Sequence, residues 1–309
     1  MIQIANLRKE FDELVAVDNL TLTIPSGEIY GLIGPNGAGK TTTIRIACGL
    51  LEPTQGEVRV ADVDVLRDPE RARQHIGYLS DFFSVYEDLK VREYLDYFAH
   101  AYKMPDAKIA QRITEVIEQA GLEAKCDSLI QGLSRGMKQR LGIARAMIHC
   151  PKVLLLDEPA SGLDPKARIE LRNLLRSVRD QGATILISSH ILTELEGLCT
   201  SIGIMEKGRL VRTGRLEDVV STGAQSRAIR LQWLGDAAAQ LHELLSKTVA
   251  ASEPKLNAND GEFRFSGSDD ELAQFLTQIV ACGIRVLSFR EVRQTVEEMY
   301  MKLSTHEVM

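Results

Sequence analysis

Apolar and polar residues alternate at 2–7 (IQIANL) and again at 20–24 (LTLTI), the pattern of antiparallel strands with one face in water. The run at 28–34 (EIYGLIG) is mostly apolar and ends in glycine, which predicts a buried strand leading into a turn. A helix is expected over 41–51, then a break at Glu52-Pro53-Thr54 and Gly56, then one strand over 57–63 (EVRVADV). At 91–103 and 107–121 apolar residues recur every three or four positions, which predicts amphipathic helices. From residue 152 the pattern alternates: strand 152–156, helix 166–180, strand 183–189, helix 191–199, then strand-like 201–214. That order implies an α/β core with parallel strands. A small polar stretch at 221–226 reads as a linker, and the order beyond it is β-α-β-β-α-β. The expected architecture is an α/β core over 1–220, carrying an antiparallel β subdomain and a helical insertion at about 82–150, then a small ferredoxin-like α+β domain over 226–309.

Bulk properties exclude several classes. The net charge of -6 offers no basic field for nucleic acid, so no nucleic-acid partner is expected. No apolar run approaches the roughly 18 residues of a membrane span, and the first residues carry charges where a signal peptide needs an apolar stretch. Five scattered cysteines form no CxxC pair, and they read as reduced core thiols of a cytosolic protein.

The strongest local signal is Gly34-Pro35-Asn36-Gly37-Ala38-Gly39-Lys40-Thr41, followed by Thr42. It satisfies G-x-x-x-x-G-K-[ST], and it lies between an expected strand and an expected helix. Glycines let backbone N–H groups curl around phosphate oxygens. Lys40 supplies a point charge for the outer phosphates, and the Thr41 hydroxyl is an oxygen ligand suited to Mg²⁺. A bare glycine turn is the competing reading, and the strand-loop-helix context weighs against it. The second signal is Asp157-Glu158, at the end of the apolar run 153–156. Ligands of α/β sheets bind at strand carboxyl ends. Asp157 is a candidate metal ligand beside a phosphate loop, and Glu158 a candidate base for an attacking water. Alone, such a pair is slightly more often a solvated turn; beside a phosphate loop the functional reading prevails.

Between these motifs stands Leu133-Ser134-Arg135-Gly136-Met137, which resembles the signature sequence of ABC ATPases. Ser161-Gly162-Leu163-Asp164 resembles the ABC D-loop, Ser188-Ser189-His190 the segment that carries the switch histidine, and Phe11 the aromatic that stacks on adenine. The resemblance covers about residues 1–215, with every motif in family order. It implies an ATPase with ATP and Mg²⁺ as cofactors. Phe11 and residues 34–42 would bind nucleotide, with Thr41 and Asp157 on the metal. Glu158 and His190 would be catalytic. Ser134, Arg135, Gly136 and Met137 would contact ATP held by a second ATPase subunit, in a head-to-tail homodimer linked through Asp164. It further implies an integral membrane transporter subunit as partner, and a peripheral location on the cytoplasmic face of the membrane.

Two positions depart from the family pattern. Asp81 stands where a glutamine commonly reaches Mg²⁺; it is a further candidate metal ligand, or alternatively a helix cap before Phe82. Arg135 replaces the first of the signature's two glycines, and its guanidinium is expected to lie in solvent. Phe82, Phe83 and Tyr86 follow Asp81, in the region that in this family abuts the groove for the membrane subunit; Phe83 is the expected anchor. The stretch 295–303 (TVEEMYMKL) resembles the tail of drug, antibiotic and polysaccharide exporter ATPases, which implies export. A soluble ABC ATPase acting on ribosomes or in DNA repair is the alternative. The single cassette and the lack of CxxC pairs or basic stretches weigh against it.

Overall fold

The computed structural model describes residues 1–191, 194–195, 197–216 and 227–292. The expected linker at 221–226 and the tail at 295–303 lie outside the described residues. The chain divides into two compact units, Met1–Leu216 and Glu217–Met309.

In the first unit, β1 (Ile2–Phe11) and β2 (Leu14–Ile24) pair antiparallel, and β1 also pairs antiparallel with β4 (Gln55–Val60). The alternation has its expected consequence: Ile2, Ile4, Leu20, Leu22, Ile24, Val58 and Val60 are all buried in one cluster. The run 57–63 is two strands rather than the single one expected. Val60 pairs with Val63 of β5 (Val63–Asp64) across Ala61 and Asp62, both at positive φ (49° and 67°). Two-residue hairpins of this hand match the strand twist, and nothing in Ala-Asp announces one.

A second sheet has the order β10-β9-β3-β8-β7-β6. Its strands β3 (Ile29–Ile33), β6 (Ile76–Leu79), β7 (Val153–Leu156), β8 (Thr184–Ser189) and β9 (Ser201–Glu206) are parallel to their neighbours; β10 (Arg209–Arg215) closes it antiparallel. β3, β7 and β8 are buried at every position, which is why their sequences run apolar without alternation. Tyr30, Leu32, Val153, Leu155 and Leu186 join the cluster of the first sheet, so one core lies between the two. Helix α1 (Lys40–Ala47) follows β3, and α2 (Pro69–Arg73) is capped by the Asp68 carboxylate. Then come α3 (Val91–Ala101), α4 (Asp106–Gln119), α5 (Arg135–Met147) and α6 (Pro165–Asp180). α3, α4 and α6 each bury one stripe, as Leu171, Leu174, Leu175 and Val178 do on α6, whereas α5 is buried at consecutive positions from Gln139 to Ala144. The helix expected over 191–199 includes residues outside the described set.

The second unit runs β11 (Arg227–Leu234), α7 (Ala238–Lys247), β12 (Ala251–Leu256), β13 (Asp260–Phe265), α8 (Asp269–Ala281) and β14 (Arg285–Val292). Its sheet order is β12-β13-β11-β14, with every neighbouring pair antiparallel, the split arrangement of a ferredoxin-like fold. Trp233, Phe263, Phe265, Phe275 and Ile279 fill a core of its own. Ser268 and Glu271 form a capping box that starts α8.

The cysteines correct one expectation. Cys48 and Cys199 are buried, but Cys150 and Cys282 are exposed. Cys150 ends the α5 region at φ 57°, where the chain turns at the surface. Among the described residues, no helix is long and apolar enough to cross a membrane.

Candidate active site

The carboxyl ends of β3, β7 and β8 converge, and the site is built where they do. Gly34 leaves β3, and its N–H donates to Ser189 O of β8 at 3.3 Å. A Cβ at Gly34 would run into the Met205 carbonyl, so only glycine fits there. Gly39, at φ 99°, is the residue before α1, and Ala38 is buried beneath the loop while Asn36 and Gly37 are exposed at its tip. Pro35 and Thr42 are partly buried beside it. The Lys40 side chain folds back under the loop. Its Nζ donates to Gly34 O (2.7 Å) and Pro35 O (3.1 Å) and lies 3.4 Å from Glu158 Oε1. A 5% exposed ammonium is therefore held by two carbonyls and a carboxylate at the start of a helix, where backbone N–H groups point outward.

β7 ends in Asp157, 1% exposed, whose Oδ1 accepts from Thr41 Oγ1 (3.2 Å) and from Ser188 Oγ (2.6 Å). Glu158 takes a positive φ of 48°, rare for a residue with a side chain. Its N–H donates to Ser188 Oγ at 2.9 Å, and its Oε2 lies 2.8 Å from His190 Nδ1 and accepts the His190 N–H at 3.3 Å. The backbone strain turns this carboxylate toward Lys40 on one side and His190 on the other. Ser188 was absent from the expected site, yet it receives the Glu158 N–H and donates to Asp157. Only its place at the end of a buried strand hinted at this.

Thr41 Oγ1 and Asp157 Oδ1 are adjacent hard oxygen donors and fit Mg²⁺. Among the described residues, no group of three or more His, Cys, Asp or Glu could hold a metal, so the remaining ligands would come from phosphate and water, as is usual for this ion. Asp81 is exposed in the loop after β6. Burial, then the neighbouring Asp157 and Glu158 charges, raise its carboxyl above the ordinary range, with Arg135 and His190 opposing. The helix-cap alternative for Asp81 is overturned, since the next helix begins only at Val91.

The signature forms a second group. Ser134 caps α5, its Oγ accepting the Met137 N–H at 3.3 Å. Gly136 is buried, and a Cβ there would sit 2.7 Å from the Ala167 Cβ of α6. Arg135 is exposed but not simply solvated. Its Nη2 donates to Ser161 O at 2.9 Å and its guanidinium lies over Gly162. Asp164 caps α6 by accepting the Ala167 N–H at 2.8 Å. Residues 134–137 and 161–164 are thus brought together. The Arg135–Ser161 bond joins them, and the Ser161 N–H donates onward to Glu158 O at 3.1 Å. Phe11 is 42% exposed at the end of β1, with Lys9 Nζ 4.8 Å above its ring. Of the three aromatics after Asp81, Phe83 packs on Gly142 and Arg145, whereas Phe82 is 91% exposed. Phe82 and Tyr86 are thus the exposed members of the three, and Phe83 is partly buried.

Comparison with known proteins matches residues 17–161 to the family model described as ABC transporter. A second model, described as AAA domain, putative AbiEii toxin, Type IV TA system, matches residues 129–196. The chain is 34% identical over 253 residues to the Nod factor export ATP-binding protein I of Cupriavidus metallidurans, covering 82% of this chain and 83% of that one. It is 31% identical over 307 residues to the uncharacterized ABC transporter ATP-binding protein YhcH of Bacillus subtilis, covering 98% and 96%. A solved ATP-binding subunit of an ABC transporter superposes with TM-score 0.64 at 32% identity, over 71% of this chain and 91% of that one. A dimeric ATP-binding cassette in a post-hydrolysis state, bound to ADP and Pi, superposes with TM-score 0.63 at 26% identity, over 70% and 99%.

Proposed function

This chain belongs to the ATP-binding proteins of ABC transporters, and from that premise we propose which residue does what. The protein is the ATPase motor of a transporter. Residues 34–42 wrap the phosphates of ATP, and Phe11 stacks on the base. The phosphates replace Gly34 O and Pro35 O as partners of the Lys40 ammonium. Thr41 and Asp157 would hold Mg²⁺, with Asp81 as a further candidate ligand. The ion neutralises phosphate charge when bound.

The Glu158 carboxylate takes the proton of the attacking water, and His190 fixes the direction in which that carboxylate points. The water oxygen bonds to the terminal phosphorus, and the bond from that phosphorus to the bridging oxygen breaks, leaving ADP and phosphate. A second copy of the chain covers the nucleotide with Ser134, Arg135, Gly136 and Met137, and Asp164 joins the two sites. The start of α5 donates N–H groups there, while the Arg135 guanidinium is engaged by Ser161 O. An integral membrane subunit converts the closing and opening into transport, with this chain on the cytoplasmic face. Relatives named for Nod factor export support an outward direction. The unit at 226–309 serves as an accessory domain.

The observation that carries the hydrolytic part is a single carboxylate, Glu158, set between Lys40 at 3.4 Å and His190 at 2.8 Å. The partner is tested with tagged Glu158→Gln, expected to hold the ATP-closed dimer, recovered from detergent-solubilised membranes of its native cells in Mg·ATP. A multi-span membrane protein in stoichiometric amount is the expected companion. Recovery of ribosomes or DNA-repair factors without one would overturn the transport role and keep the ATPase.

A further inference from the structure

Glu194 is a buried carboxylate with no part in the hydrolytic site just described. It is 3% exposed and follows β8 in the chain; Leu195 and Cys199 lie against Gly31 of β3. Glu194 Oε2 and the Ile191 carbonyl oxygen are both within acceptor distance of the Ser189 hydroxyl, at 2.8 and 2.9 Å, and Glu194 Oε1 lies 3.5 Å from Arg168 Nη2. Its backbone carbonyl accepts from Arg172 Nη2 at 3.3 Å. Both arginines belong to α6, the helix capped by Asp164. A position that only needed to pack could use an apolar residue, because burying a carboxylate is costly unless its partners offset it. What this one holds is specific. Ser189 immediately precedes His190, and its hydroxyl oxygen also accepts the Ile191 N–H at 3.0 Å. The side chain before the histidine and the backbone after it are thus bound together, and Glu194 fixes the hydroxyl that binds them.

We propose that Glu194 is the positioning residue for His190, locking the 188–191 segment through Ser189 and tying it through Arg168 to α6. The carboxylate touches neither substrate nor the reacting atoms. It sets where the imidazole stands against Glu158, and it makes that position depend on the helix that starts at Asp164. A shift of α6 then reaches the histidine through one buried group. This rests on the role of His190 proposed above.

The test is side-chain NMR of the six histidines in the full chain, with His190→Ala identifying the His190 signal, alongside ATPase kinetics. In Glu194→Gln and in Arg168→Met, the His190 ring signal moves while those of His100 and His149 stay. kcat falls about tenfold with the KM for ATP within about twofold, as expected of a displaced catalytic group. Arg168→Lys restores both toward wild type. Should Glu194→Gln not fold, Arg168→Met decides, since that side chain is 36% exposed. An unmoved His190 signal in the variants that fold, or movement of all histidine signals together with a loss of melting temperature, overturns the proposal. A moved signal with unchanged kcat upholds the positioning and overturns the catalytic role given to His190.

Discussion

At the scale of single residues, Ser188 shows how much of the chemistry rests on a hydroxyl. It donates to Asp157 and accepts from the strained backbone of Glu158, so removing it leaves a buried carboxylate short of a donor. A hydrogen bond to a charged group contributes about 1.5–3 kcal/mol. Ser188→Ala is expected to lower kcat by about 10- to 100-fold, read by steady-state ATPase assay. Asp81 supplies a pH test. Burial first, then Asp157 and Glu158, raise its folded pKa. The folded state therefore holds the proton more tightly than the unfolded one, and stability falls as pH climbs from the ordinary aspartate value through the raised one. Asp81→Asn should melt higher than wild type at pH 7, and the gap should close below about pH 4; melting curves across pH measure both. Residues with motif chemistry, such as Lys40 and Glu158, were legible in the sequence because glycine spacing and paired acids are unusual. Ser188, Glu194 and the Arg135 contact with Ser161 were not. They depend on which strand ends and helices meet, and a serine or arginine carries no mark of that.

At the scale of elements, periodicity located strands and helices well, since burial on one face or both imposes it. It erred where a turn lacked turn residues. The β4–β5 hairpin bends at Ala61 and Asp62, both at positive φ, where asparagine and glycine are the residues that fit. A side chain held there costs about 1–2 kcal/mol. The double change Ala61→Asn, Asp62→Gly should stabilise the first unit by about 1 kcal/mol, measured by denaturant unfolding at unchanged slope. Asp81 misled in the opposite way: an acidic residue before an aromatic looks like a cap, but no helix follows it until α3. The signature was legible as a motif, while its packing was not. Gly136 is small because α6 lies against it, which only the crossing of two helices distant in sequence could reveal.

On the scale of the whole molecule, the two units have separate cores, and the chain's one tryptophan, Trp233, is fully buried in the second. Tryptophan fluorescence therefore follows that unit alone. Mg·ATP, bound to the first unit, should raise the midpoint of far-UV unfolding and leave the fluorescence midpoint in place; a joint shift would mean the units unfold as one. The order of elements made the second fold readable in advance, since β-α-β-β-α-β leaves few ways to pair four strands. What converts the first unit into a motor is the hydrolytic site, and the ATPase rate of Glu158→Gln beside its affinity for ATP tests that most directly. The account predicts a loss of at least about 100-fold in hydrolysis, with ATP affinity within about threefold of wild type because Lys40 and the loop remain. Hydrolysis that survives the change at near the wild-type rate would contradict it.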